Sequence, residues 1–124
     1  MTNHRYPFEN LRVWQAARSL IKAVYNLTAL FPQRELYGLT SQCDRAAVSI
    51  AANLAEGSSR QRRKDQAHFY EIAYSSLTEL ACLLILCADV GFLSCESEQS
   101  LRQQIEGVSR QVNALHRSQR DRST

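Results

Sequence analysis

No apolar run in this sequence reaches the ~20 residues that a membrane-spanning helix needs. The longest, Leu80 to Ala88, falls well short of that length. The opening residues, Met-Thr-Asn-His-Arg-Tyr-Pro, hold no apolar run either, so no secretory signal is expected. The four cysteines, Cys43, Cys82, Cys87 and Cys95, lack CxxC spacing, and three of them sit inside apparent helices. That placement argues against a disulfide scaffold and for reduced thiols in the cytoplasm. There is no GxSxG, no Gly-rich phosphate loop and no HExxH, and no Cys/His pair can be argued close. Di-iron bundles combine glutamates with E-x-x-H motifs. Asp65-x-x-His68 is the one approximation here, and His4 and His116 have no such partner. The expectation is therefore no metal, no cofactor, no small-molecule substrate, no catalytic residue and no membrane partner.

What the chain does hold is helical periodicity. It has 124 residues, 44% of them hydrophobic and 22% charged, the composition of one soluble globular domain. Its two prolines fall at boundaries, Pro7 before the first helix and Pro32 after it. From about 10 to 30, Leu11, Trp14, Ala17, Ile21 and Val24 keep 3/4 spacing, with Arg12, Arg18 and Lys22 on the wet side. A second helix is expected over about 37–56, capped by Gly57, a third over 65–90, capped by Gly91, and a fourth over 95–119. The third carries the seam Phe69, Ala73, Ser76, Leu80, Leu83, Cys87 and Val90 and is apolar all round between 80 and 88, an excess that points to self-association. The fourth carries the heptad Leu101, Ile105, Val108, Val112, Leu115. Four helices on short connectors, with no strand candidate and no internal repeat, predict an all-α antiparallel up-down bundle.

Two features of this pattern are candidates for function. In the second helix, Gln42, Arg45, Ser49, Asn53 and Glu56 form a polar stripe between two apolar arcs. A structural network buried on more than one side is favoured over a catalytic constellation, with Glu79 as a partner for Arg45, because neither a nucleophile nor a base stands out. The second feature is charge. The net charge is only +3, but an up-down bundle gathers Arg5, Arg60, Arg62, Arg63, Lys64, Arg117, Arg120 and Arg122 at one end. Arg62, Arg63 and Lys64 lie at or just before a helix N-terminus, where the dipole disfavours cations, so an external phosphate is implied. The nucleic-acid candidates are accordingly Arg60, Arg62, Arg63, Lys64, Arg117 and Arg120. No aromatic residue interleaves the 58–64 connector, so backbone contact is expected rather than base readout. The other reading of the same end is a solubilising surface on a structural or protein-interaction scaffold.

Four segments carry a family resemblance. They are Phe8-x-x-Leu11-x-Val13-Trp14-x-x-Ala17, Phe31-Pro32-x-x-Glu35-x-Tyr37-Gly38-Leu39, Gln42-x-x-Arg45-Ala46-x-x-Ser49-Ile50-x-x-Asn53-x-Ala55-Glu56-Gly57, and Ala73-x-x-Ser76-Leu77-x-Glu79-Leu80. Over nearly its whole length the chain resembles the four-helix-bundle proteins encoded in intervening sequences of bacterial 23S ribosomal RNA genes. Ala51 and Ser75 stand where that family often has Pro and Gly. The resemblance implies an up-down bundle assembling into a ring, typically a homopentamer with a central pore. It also implies a more distant likeness to the accessory protein of diversity-generating retroelements, which works with a reverse transcriptase and nucleic acid.

Overall fold

The structure, a computed structural model, describes residues 5–122, with side-chain surroundings through Ser118. A short 3-10 turn at Pro7–Asn10 leads into α1, Arg12–Thr28. A second 3-10 turn, Gln33–Glu35, leads into α2, Leu39–Ser59. Then come α3, Arg63–Asp89, and α4, Cys95–Arg122. The described residues contain four α-helices and no strand.

Local chemistry sets the ends of these helices. Pro32 cannot continue α1. The Glu35 carboxylate accepts the Leu39 N–H at 3.2 Å, so α2 starts two residues later than periodicity alone suggests. Gly57 does not end α2. The Ser58 and Ser59 hydroxyls donate to the carbonyls of Ala55 and Glu56 at 2.9 and 2.8 Å and carry the helix two residues past it. The connector to α3 therefore shrinks to residues 60–62, and Arg63 and Lys64 lie inside the first helical turn. At the other end of α3, Gly91 has φ +84°. Its N–H donates to Ala88 and that of Phe92 to Cys87, the paired bonds of a Schellman cap. Ser94 Oγ then accepts the Ser97 N–H at 3.1 Å and opens α4.

The core draws on all four helices. From α1 come Val13, Ala17, Leu20 and Val24, a stripe rotated slightly from the expected one, so that Trp14 and Ile21 flank it. From α2 come Cys43, Ala46, Ala47, Ile50 and Leu54, the face that 100° periodicity selects. Tyr70 takes the place expected of Phe69 in α3, followed by Ala73, Leu77, Leu80, Leu84 and Cys87. Leu101, Ile105, Val108 and Val112 line the inner side of α4. Contacts pair Cys43 with Cys87, Ser49 with Ser76 and Gly57 with Tyr70, so α2 and α3 run in opposite directions. The last contact is tight: a Cβ on Gly57 would lie 2.6 Å from Tyr70 Cε1.

The single chain leaves apolar surface uncovered. Tyr37 is 93% exposed, and Tyr25, Leu36 and Val48 lie open around the same recess of α1 and α2. On α3 and at its C-cap, Ile85, Leu86 and Val90 are exposed. That helix is long and apolar enough to cross a membrane by length and composition alone, a test that the core helix of a soluble protein also passes.

Candidate nucleic-acid interface

The basic residues around the α2–α3 connector have unequal surroundings. Arg60 is held within the chain: its guanidinium meets Glu56 Oε2 at 2.8 Å and stands 4.8 Å from the centroid of the Phe69 ring. Arg62 is the N-cap residue of α3 and is exposed, and its carbonyl accepts the Gln66 N–H at 3.0 Å. Arg63 and Lys64 follow as exposed residues of the first turn, whose one acidic member is Asp65. Arg117 is exposed on α4. Arg120 lies outside the residues whose side chains are described.

Lys64 belongs to a second feature as well. It stands at the rim of an open trough of about 730 Å³ between the first half of α3 and the last half of α4. His68, Glu71 and Tyr74 line one wall at helical spacing, and Asn113 and His116 line the other. His116 Nε2 lies 3.9 Å from Glu71 Oε2 across the trough. Arg117 follows His116 directly, so the trough ties the α3 and α4 cations to one end of the molecule. Rings are thus present beside the basic cluster, although none interrupts it in sequence. The trough is absent from the sequence reading because its walls come from segments some forty residues apart. The 64, 68, 71 spacing was the available signal.

The polar stripe of α2 does not form the internal network that its spacing suggests. Gln42, Arg45, Glu56 and Glu79 are exposed in the single chain. Among the described residues no ion pair joins Arg45 to Glu79, although both border the recess with Tyr25 and Tyr37. The physical reason is that α2 has its core on one side only: Val48 and Ala52, the second apolar arc, face outward. What survives is a smaller cluster at the α2–α3 contact. Ser49 Oγ meets Ser76 Oγ at 2.8 Å, and Asn53 Nδ2 donates to Ser49 O and Oγ at 2.8 and 3.0 Å. A tie invisible in the sequence lies between α1 and α2, where buried Thr28 donates to Asp44 Oδ1 at 2.8 Å.

Groups suited to chemistry are few. Burial pushes the Cys43 and Cys87 thiols and the Tyr70 hydroxyl above their ordinary values, the reverse of an activated nucleophile. Among the described residues no three His, Cys, Asp or Glu are placed to hold a metal.

With this arrangement in view, the comparisons are decisive for kinship. A sequence profile of the 23S rRNA-intervening sequence proteins matches residues 9–114. The chain belongs to that family. A crystal structure from Bacteroides thetaiotaomicron, of a protein with unknown function from the S23 ribosomal protein family, superimposes with a TM-score of 0.78 at 20% identity. The match covers 84% of this chain and 97% of that one, and at this identity it speaks for the shared fold. A comparison with curated proteins finds no significant match. The matched region of the intervening-sequence family holds the α2–α3 connector, every residue named on the trough except His116, and the Ser49–Asn53–Ser76 cluster.

Proposed function

We propose that this chain acts without catalysis, as a ring-shaped homo-oligomer of antiparallel up-down bundles whose basic ends hold the phosphate backbone of RNA or DNA. Free thiols on all four cysteines suit a cytoplasmic setting. The observation that carries the reading is the run Arg62, Arg63, Lys64 at the start of α3. Each cation there is disfavoured by a few tenths of a kcal/mol against the helix dipole. A phosphate held over the run turns that local penalty into attraction, and repetition round a ring multiplies the number of contacts. The family's name refers to an insertion in a ribosomal RNA gene, which is compatible with an RNA partner.

The second reading, a scaffold with a solubilising end, draws on Arg60, whose guanidinium is already engaged by Glu56 and Phe69. Salt dependence separates the two. RNA affinity measured by fluorescence anisotropy is expected to fall steeply with salt, and reversing Arg62, Arg63 and Lys64 to Glu is expected to lower it at least ~10-fold and flatten the slope by roughly 1 per residue. Absence of binding at ~50 mM salt, or binding unaffected by the triple reversal, favours the scaffold.

A further inference from the structure

We infer that the trough between α3 and α4 seats an unpaired nucleobase of the strand whose backbone lies on the basic end. This inference rests on the nucleic-acid reading above and adds a base-binding site to it.

Position comes first. Lys64 is at once the last member of the basic run and part of the trough's rim. A strand held by Arg62, Arg63 and Lys64 therefore passes the mouth of the trough. Its volume of about 730 Å³ lies within the ~300–1,000 Å³ usual for small-ligand sites.

The wall chemistry then narrows the occupant. A metal ion is disfavoured because no three ligating side chains converge among the described residues. A phosphate or other small anion meets one lysine but two carboxylates, Asp65 and Glu71. An apolar ligand would strip water from two imidazoles, an amide, a phenol and two carboxylates without replacing their hydrogen bonds. A flat, uncharged group with donors and acceptors on its edge satisfies these walls, and a nucleobase is such a group. Tyr74, 43% exposed, and exposed His68 line the trough and supply rings on which a base can stack. The Asn113 amide both donates and accepts. The Glu71 carboxylate, 72% exposed, accepts a hydrogen bond from an exocyclic amine such as that of cytosine. His116, on the opposite wall, is half-buried and closes the side facing Glu71. The backbone run and the trough thus divide the work, the first holding charge and the second holding one base.

The test compares the intact protein's affinity for a ~20-nucleotide oligocytidine RNA with that for an abasic RNA strand of equal length and charge, at ~50 mM salt. The base-bearing strand is expected to bind roughly 5- to 100-fold more tightly, the span that stacking of a base on an aromatic side chain supplies. Combining Tyr74→Ala with Asn113→Ala is expected to erase that preference while leaving the abasic affinity within about twofold and the salt slope unchanged. Both side chains are exposed, and a thermal melt checks that the variant folds. Equal affinity for the two strands, with steep salt dependence, overturns the base site and leaves the backbone reading standing. A preference retained in the double variant overturns the assignment to this trough. Failure to bind either strand overturns both readings.

Discussion

Two glycines in this chain sit in helices for opposite reasons. Gly57 is buried under Tyr70, where an added methyl would stand 2.6 Å from the ring and 3.1 Å from Phe69 Cβ. Gly107 in α4 has open space, its nearest neighbour being the end of the Arg110 side chain at 4.0 Å. Helix propensity favours Ala over Gly at either site by ~1 kcal/mol, so packing decides the sign. Gly107→Ala is expected to stabilise the protein by ~0.5–1 kcal/mol. Gly57→Ala is expected to destabilise it by ~1–3 kcal/mol, because Tyr70 is enclosed and cannot swing away. Urea titrations of the two variants measure both changes, and equal signs would refute the contrast.

At the scale of elements, the α2–α3 contact joins a polar cluster to a pair of buried thiols. Cys43 and Cys87 lie with their sulfurs 3.8 Å apart and are fully enclosed. Desolvation raises both thiols above the ordinary value of 9.0, and it raises Tyr70 above 10.0. A group whose proton is held more tightly in the folded state contributes stability that is complete below its unfolded value and lost as pH rises beyond it. Stability is therefore expected to hold to about pH 9 and then to decline by up to ~1.4 kcal/mol per pH unit for each titrating group. Replacing both cysteines by Ala should remove the first part of that decline and leave the tyrosine part. Melting curves from pH 8 to 11 follow it directly. A thiol reagent should meanwhile label exposed Cys95 in the native protein and spare the buried pair.

The same contact shows how far sequence reaches. Periodicity of 100° per residue places Leu39, Cys43, Ala46, Ala47, Ile50 and Leu54 on one face; all but the partly buried Leu39 are buried on the core side of α2. It could not say whether the opposite arc was covered, because angle round a helix carries no information about a neighbour. Val48 and Arg45 are open for that reason. Helix ends were misjudged where side chains intervene, Glu35 at one end of α2 and Ser58 and Ser59 at the other. The basic run was legible because it is contiguous. The trough beside it was not, since Glu71 and His116 become neighbours only after α3 and α4 pack.

On the scale of the whole molecule, the exposed apolar side chains set the strongest expectation. Tyr25, Leu36, Tyr37 and Val48 on one part of the surface, and Ile85, Leu86 and Val90 along the end of α3 and its C-cap, are more than isolated surface residues. A subunit contact over the first group would also enclose Arg45 and Glu79, which border the same recess. Light scattering at micromolar concentration is expected to give a particle several times the monomer mass. Ile85→Glu combined with Leu86→Glu is expected to reduce that mass, since two charges cannot be desolvated in such a contact without partners. A wild-type particle of monomer size would overturn the assembly.

The closeness of Gly57 to Tyr70 also works as a mechanical datum. Sliding α2 along α3 by one turn would bring Asn53 or Leu54 to the place of Gly57, where the ring leaves no room for a Cβ. The relative height of the two helices is thereby set near the end where they join, six residues before the start of α3. The cations of that joint inherit their spacing from an aromatic ring packed on a bare backbone. Under the nucleic-acid reading proposed above, a phosphate arriving there would meet backbone positions whose spacing was decided in the core.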